Sequence, residues 1–162
     1  MTRSIIFTIP GIPTAWARAR THGKIHFTPD KQRAAMSVIQ TIAYDAMSGM
    51  APFDKPVRMV IHAYWPYPKT MSQKKRADTH HRPSRPDWDN VAKLVGDSLN
   101  GIVYVDDALV VDGRVLKMYD GESAARTVVQ IEEISDVGVS GVARIAAISA
   151  SLAAFSVACK SK

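Results

Sequence analysis

The run VRMVIHAYW, Val57–Trp65, followed at once by Pro66 and Pro68, constrains this chain more than any other stretch. Rich in β-branched and aromatic residues and closed by prolines, it reads as a core strand. Around it, SIIFTI at residues 4–9 reads as a second strand, stopped by Pro10-Gly11. From Asp30, an N-cap, to Met47, apolar residues recur at Ala35, Val38, Ile39, Ile42 and Ala46. That is the spacing of an amphipathic helix, and Gly49 ends it. The segment from Pro13 to Pro29 is loop-like, with a short strand at Lys24–Phe27. TMSQKKRA at 70–77 is a short basic helix, and His80–Pro86 is a loop.

A second long helix is predicted from Asp89 to Leu99, stopped by Asn100-Gly101, with a short extended piece at Val103–Val105. Val110–Tyr119 and Arg126–Ile134 read as two strands joined as a hairpin across Asp120-Gly121. The alternation of strands and helices predicts an α+β (mixed α/β) fold. All nine prolines lie within residues 1–86, so the first half is the loop-rich half.

Residues 1–135 make up one domain, which the 162-residue chain is long enough to give a true core. Residues 136–162 form a C-terminal tail of different composition. There Ile145, Ile148, Leu152, Phe155 and Cys159 follow one another at 3–4 spacing, a seam if the tail is helical. Such a seam would pack on its own domain or against another copy.

Apolar residues make up 46% and charged residues 22%, the balance of a globular rather than a disordered chain. No run of apolar residues is long enough to span a membrane, and the N-terminus lacks the pattern of a signal peptide. The single cysteine, Cys159, has no internal partner. These features predict a cytoplasmic protein. His22, His26, His80 and His81 lack the cysteines or the HExxH frame of a zinc site, and no phosphate-cradling glycine motif points to a nucleotide cofactor.

The net charge is +6, unevenly spread: residues 1–85 carry 14 Lys/Arg against 4 Asp/Glu, and residues 86–162 carry 7 against 11. A basic half fits a polyanionic partner, nucleic acid first among them, although basic residues also merely solvate a surface. Arg18, Arg20, Lys69, Lys74, Lys75, Arg76, Arg82 and Arg85 are the candidate phosphate contacts.

Directly after them comes RPDWDNVAKLVGDSLNGIVYVDD, residues 85–107. Asp87 and Asp89 at a helix start have an ordinary explanation, since aspartate caps a helix and complements its dipole. At 100° per residue, however, Val91, Leu94, Val95, Ser98 and Leu99 occupy one side of the helix. Asp89, Lys93 and Asp97 line the other, with Asn90 beside them. Short side chains lose little entropy when held, which suits a site better than a solvated face. Asp106-Asp107 alone would be a turn. If that segment returns beside the helix, three or four carboxylates converge, and a hard divalent cation, Mg²⁺ or Mn²⁺, would relieve their repulsion. Such an ion activates water for phosphodiester hydrolysis, and Lys93 would neutralise charge on the phosphate oxygens.

At these residues the chain resembles the RusA family of crossover-junction endodeoxyribonucleases, often encoded by prophages. The resemblance is carried by Pro86-Asp87-Trp88-Asp89-Asn90-Val91-Ala92-Lys93, then Asp97, Asn100-Gly101 and Asp106-Asp107 leading into ALVVDGRVLKMY. It is close over residues 82–119, looser upstream, and does not reach 136–162. It implies a small mixed sheet with two main helices, assembled as a homodimer that nicks opposing strands of a four-way (Holliday) junction. It implies that Asp87, Asp89 and Asp107 are metal-binding catalytic aspartates and Lys93 the catalytic lysine, supported by Asp97, Asp106 and Asn90. Lys117 or Arg114 would reach phosphate. Two other readings stay open: a metal-dependent nuclease for flaps or forks, and a non-catalytic branched-DNA-binding module whose aspartates only cap and turn.

Overall fold

The computed structural model describes residues 3–17, 20–22, 25–27, 30–121 and 123–134. Arg18, the side chain of Arg20 and the tail 136–162 with its seam lie outside the described residues. The elements in chain order are β1 (Ser4–Pro10), β2 (Arg20–His22), β3 (Ile25–Phe27), α1 (Asp30–Met47), β4 (Val57–Trp65), α2 (Gln73–Asp78), α3 (Trp88–Leu99), a 3₁₀ turn (Asp107–Leu109), β5 (Val110–Tyr119) and β6 (Arg126–Glu133).

The apolar run at Val57–Trp65 is the inner strand that its composition predicts. β4 lies between β6 and β5 in a four-stranded sheet of order β1-β6-β4-β5. It runs parallel to β5, with Ile61 opposite Val115, and antiparallel to β6, with Ile61 opposite Val129. β1 closes the other side, antiparallel to β6. The sheet is therefore mixed.

The expected hairpin between β5 and β6 does not form, because β4 sits between them. The most apolar strand has both edges to pair and water on neither, so it takes a neighbour on each side. The link after Tyr119 crosses the end of β4 instead: the Asp120 amide donates to the Trp65 carbonyl at 2.8 Å. Arg126 donates to the Asp120 carboxylate at 2.7 Å and ties the crossing down.

Smaller departures have local causes. Arg20–His22, expected as loop, pairs with β3 as a two-stranded ribbon. The basic helix starts later than expected, at Gln73, where the Ser72 hydroxyl accepts from the Lys75 amide. Val103–Val105 makes no strand; Tyr104 forms single bridges to Phe53 and Asn100.

Both long helices lie on one face of the sheet, α1 against β1 and α3 against β5, in contact with each other. Ile39, Ala43 and Met47 of α1, Leu94 and Leu99 of α3, and Ile61, Ala63 and Ile131 of the sheet form the shared core. The turn after α3 adds Val103 and Tyr104 to it. Val38, assigned to the apolar face of α1, is instead 47% exposed.

On β4 and β5, Arg58 donates to Asp112 at 2.8 Å, and Arg114 donates to the same carboxylate at 3.1 Å. Partial burial would raise the Asp112 carboxyl, but the hydrogen bonds from Arg58 and Arg114 outweigh it and hold the group below its usual range. A carboxyl depressed in the folded state contributes stability above its unfolded pKa, and that contribution is lost as pH falls through the folded value. Urea midpoints measured from pH 6 down to pH 3 should therefore fall less steeply in Asp112→Asn than in the wild type. Equal slopes would remove Asp112 from the acid response.

Candidate active site

The site begins where α3 begins. Asp87 holds the N-cap position with extended backbone, φ −69° and ψ 150°, yet its side chain makes no capping hydrogen bond. Capping is the ordinary use of aspartate there, and Asp87 does not perform it. Among the described residues its carboxylate has no hydrogen-bond or ion-pair partner. Asp89, in the first turn, takes only a 3.5 Å contact from the Asn90 amide.

The rest of α3 follows its periodicity. Val91, Leu94, Val95, Ser98 and Leu99 are buried, as the face analysis predicts, while Asp89 and Lys93 are exposed. The Lys93 ammonium lies 3.6 Å from the Asp97 carboxylate, one turn on. It also sits 4.9 Å from the centre of the Trp16 ring.

Trp16 comes from the loop after β1. Its amide donates to the Asn90 carbonyl at 2.8 Å, and the Ala17 amide donates to the buried Gln32 side chain at 2.9 Å. The loop is thus fastened to both α3 and α1. With Ala15, Arg85, Pro86, Asp87 and Asn90, Trp16 lines an open hollow of about 600 Å³ at the start of α3. Trp88, 61% exposed, stands between Asp87 and Asp89, whereas Trp65 is buried as its core role requires.

A second arm follows α3. Gly101, at φ +74°, takes a left-handed turn that returns the chain beside the helix. Tyr104 is fully buried there, and its hydroxyl donates to the Gly96 carbonyl at 2.8 Å. Burial pushes that phenol well above its ordinary range, and the nearby Asp107 and Asp97 carboxylates push it further. Tyr104 is thus within electrostatic reach of both carboxylates, and the sequence pattern alone did not single it out. A tyrosine within the apolar segment just before Asp106-Asp107 was the available signal. Asp106 caps the 3₁₀ turn, accepting from the Ala108 amide at 2.8 Å. Asp107 is exposed and, among the described residues, its carboxylate has no hydrogen-bond or ion-pair partner.

The expected convergence of three carboxylates is looser than the sequence suggests. Among the described residues no three His, Cys, Asp or Glu side chains stand close enough to hold a metal ion. Helix geometry is one reason: Asp89 and Asp97 share a face but are about 12 Å apart along the axis at 1.5 Å per residue. Asp87 and Asp89 open α3, while Asp97 and Asp107 flank Tyr104. The donor set nonetheless suits a hard cation, since Mg²⁺ is commonly held by one or two carboxylates, the rest of its shell being water and substrate phosphate.

The basic residues divide into two groups. Lys69, Lys74, Lys75 and Arg85 are exposed and, among the described residues, unpaired. Arg76, Arg82, Arg114 and Lys117 are engaged within the protein. Arg76 donates to the carbonyls of Met71 and Pro68. Arg82 lies 4.4 Å over the Trp65 ring and donates to the Ser84 carbonyl. Arg114 is committed to Asp112, and Lys117 donates to the Ser84 and Pro86 carbonyls. Sequence charge alone does not separate grip from scaffold, because it does not show which carbonyls a long side chain meets.

No helix among the described residues is long and apolar enough to cross a membrane. The family model described as "Endodeoxyribonuclease RusA" matches residues 9–132. The chain is also similar to the "Uncharacterized protein YqaN" of Bacillus subtilis (strain 168), 35% identical over 146 residues, covering 81% of this chain and 97% of that protein.

Proposed function

The chain belongs to the endodeoxyribonuclease RusA family, and on that premise we propose that it resolves four-way DNA junctions by paired, magnesium-dependent nicks. It is an endodeoxyribonuclease. The observation that best supports the site assignment is Asp87, an aspartate at a helix N-cap that leaves its carboxylate uncapped and unpaired.

Asp87 and Asp89 at the start of α3 would hold the cation, and Asp107, on the second arm, is the third aspartate that the family pattern implies, drawn in only if the two arms close on the ion. When bound, Mg²⁺, or Mn²⁺ in its place, supplies a polarised water and charge neutralisation at the leaving oxygen. Lys93, one turn into α3, neutralises non-bridging phosphate oxygens as negative charge develops. The Asp97 carboxylate and the Trp16 ring flank the Lys93 ammonium. Arg85 at the hollow, together with the free lysines of the 69–75 segment, grips the backbone. The exposed Trp88 offers a face for an unstacked base at a branch point.

One domain carries one such site, so paired nicks on opposing strands call for a homodimer. The setting is the bacterial cytoplasm, with a chromosomal or prophage source. The test is a labelled synthetic four-way junction, incubated with and without Mg²⁺ with the wild type and Asp89→Asn. Symmetric nicks that need metal and vanish in the variant support this reading. Cleavage confined to flaps or forks would replace the substrate assignment.

A further inference from the structure

We propose that Lys117 is a positioning residue that sets the start of α3, rather than a phosphate contact; this rests on the reading of Asp87 as a site residue. The Lys117 ammonium donates to the Ser84 carbonyl at 2.7 Å and to the Pro86 carbonyl at 2.6 Å. The Pro86 carbonyl belongs to the peptide that leads directly into Asp87.

The surrounding backbone shows why a side chain is needed there. The segment from His80 to Arg82 is laid along the free edge of β5: the Arg82 amide donates to the Lys117 carbonyl, and the Tyr119 amide to the His80 carbonyl. His81 bridges Met118. Beyond Arg82 the backbone ladder stops. Ser84, the next residue in register, makes no backbone bond to β5, and Pro86 after it has no N–H to donate, so the turn does not continue the edge pairing. Lys117 takes over at that point, fixing two successive stretches of the turn with short, charge-assisted bonds. No carboxylate pairs with it among the described residues, so its ammonium is spent on loop geometry.

The hollow at the start of α3 is lined by Arg85, Pro86 and Asp87, the residues this anchor holds. A displaced turn moves Asp87 relative to Lys93, and misplacement of about 1 Å in a catalytic group costs on the order of 100-fold in rate. A phosphate contact behaves differently: its loss weakens DNA binding and reduces the salt slope of binding by about one.

The experiment compares Lys117→Met, Lys117→Arg and Asp87→Asn with the wild type. Junction affinity is measured in EDTA across a salt series, and single-turnover cleavage at saturating DNA with Mg²⁺. Lys117→Met should lose about 10- to 100-fold in cleavage rate, with affinity and salt slope unchanged, and Lys117→Arg should recover most of the rate. Weaker binding with a shallower salt slope and an unchanged rate would make Lys117 a phosphate contact and overturn the inference. Parallel loss of rate, affinity and thermal midpoint in both Lys117 variants would mark a merely structural residue and also overturn it. If Asp87→Asn cuts normally, the site reading itself fails; if Asp87→Asn is inactive while Lys117→Met cuts normally, only the Lys117 inference fails.

Discussion

Asp87→Asn is expected to lower junction cleavage by on the order of 1,000-fold while leaving junction affinity equal or higher. The substitution changes one oxygen for an amide of almost the same shape, so packing is untouched. The exposed carboxylate it replaces makes no cap bond and no ion pair, so the fold loses nothing that a melting curve would detect. The change removes a charged hard-oxygen donor, which weakens any divalent cation at the start of α3. It also removes a negative charge close to bound phosphate, which favours binding. Single-turnover cleavage and gel-shift titration on the same junction separate the two effects. Rate and affinity falling together would strip Asp87 of its assigned role.

Leu94→Ala is expected to cost about 2–5 kcal/mol of folding stability. Leu94 is 1% exposed on the inner face of α3, in a core shared with α1 and the sheet. Truncation leaves a void that α1 and the sheet, already packed against each other, cannot close. For a domain of ordinary stability, about 5–15 kcal/mol, that is a large share. Urea denaturation followed by fluorescence and by circular dichroism gives the loss directly. A cost below about 1 kcal/mol would mean that the face of α3 is not sealed as described. Below its lowered melting temperature the variant should still cleave, which separates it from Asp87→Asn.

The face of α3 was legible in the sequence because it is set by local periodicity. Val91, Leu94, Val95, Ser98 and Leu99 are buried together, and Asp89 and Lys93 are left outside. The identity of β4 was legible for a similar reason, since nine residues of its composition have few other uses. Strand partnership was not. Asp120-Gly121 is a sound turn signal, but whether a turn makes a hairpin depends on which strand claims the space between its arms, and that is a non-local competition. The site shows the same division. That an aspartate opens α3 could be read locally, although the sequence pattern places the start at Asp89 and the cap falls at Asp87; that the Asp87 carboxylate leaves the cap unmade could not. The distance between the start of α3 and Tyr104, and the commitment of Lys117 to carbonyls more than thirty residues upstream, follow only from the folded sheet.

The strand order also determines when this protein can fold. β4 pairs only with strands that come much later, as in the contact between Arg58 and Asp112, 54 residues apart, and β1 waits for β6, with Ser4 opposite Glu132. Such non-local pairing delays collapse, because long loops must close before any strand is rewarded. During synthesis, VRMVIHAYW therefore leaves the ribosome with both edges bare and stays so until the next sixty or so residues are made. Its nascent chain carries a sticky, unpaired β segment through more than a third of translation. Recombinant yield should consequently depend on growth temperature and chaperone supply more than the stability of the finished enzyme would suggest.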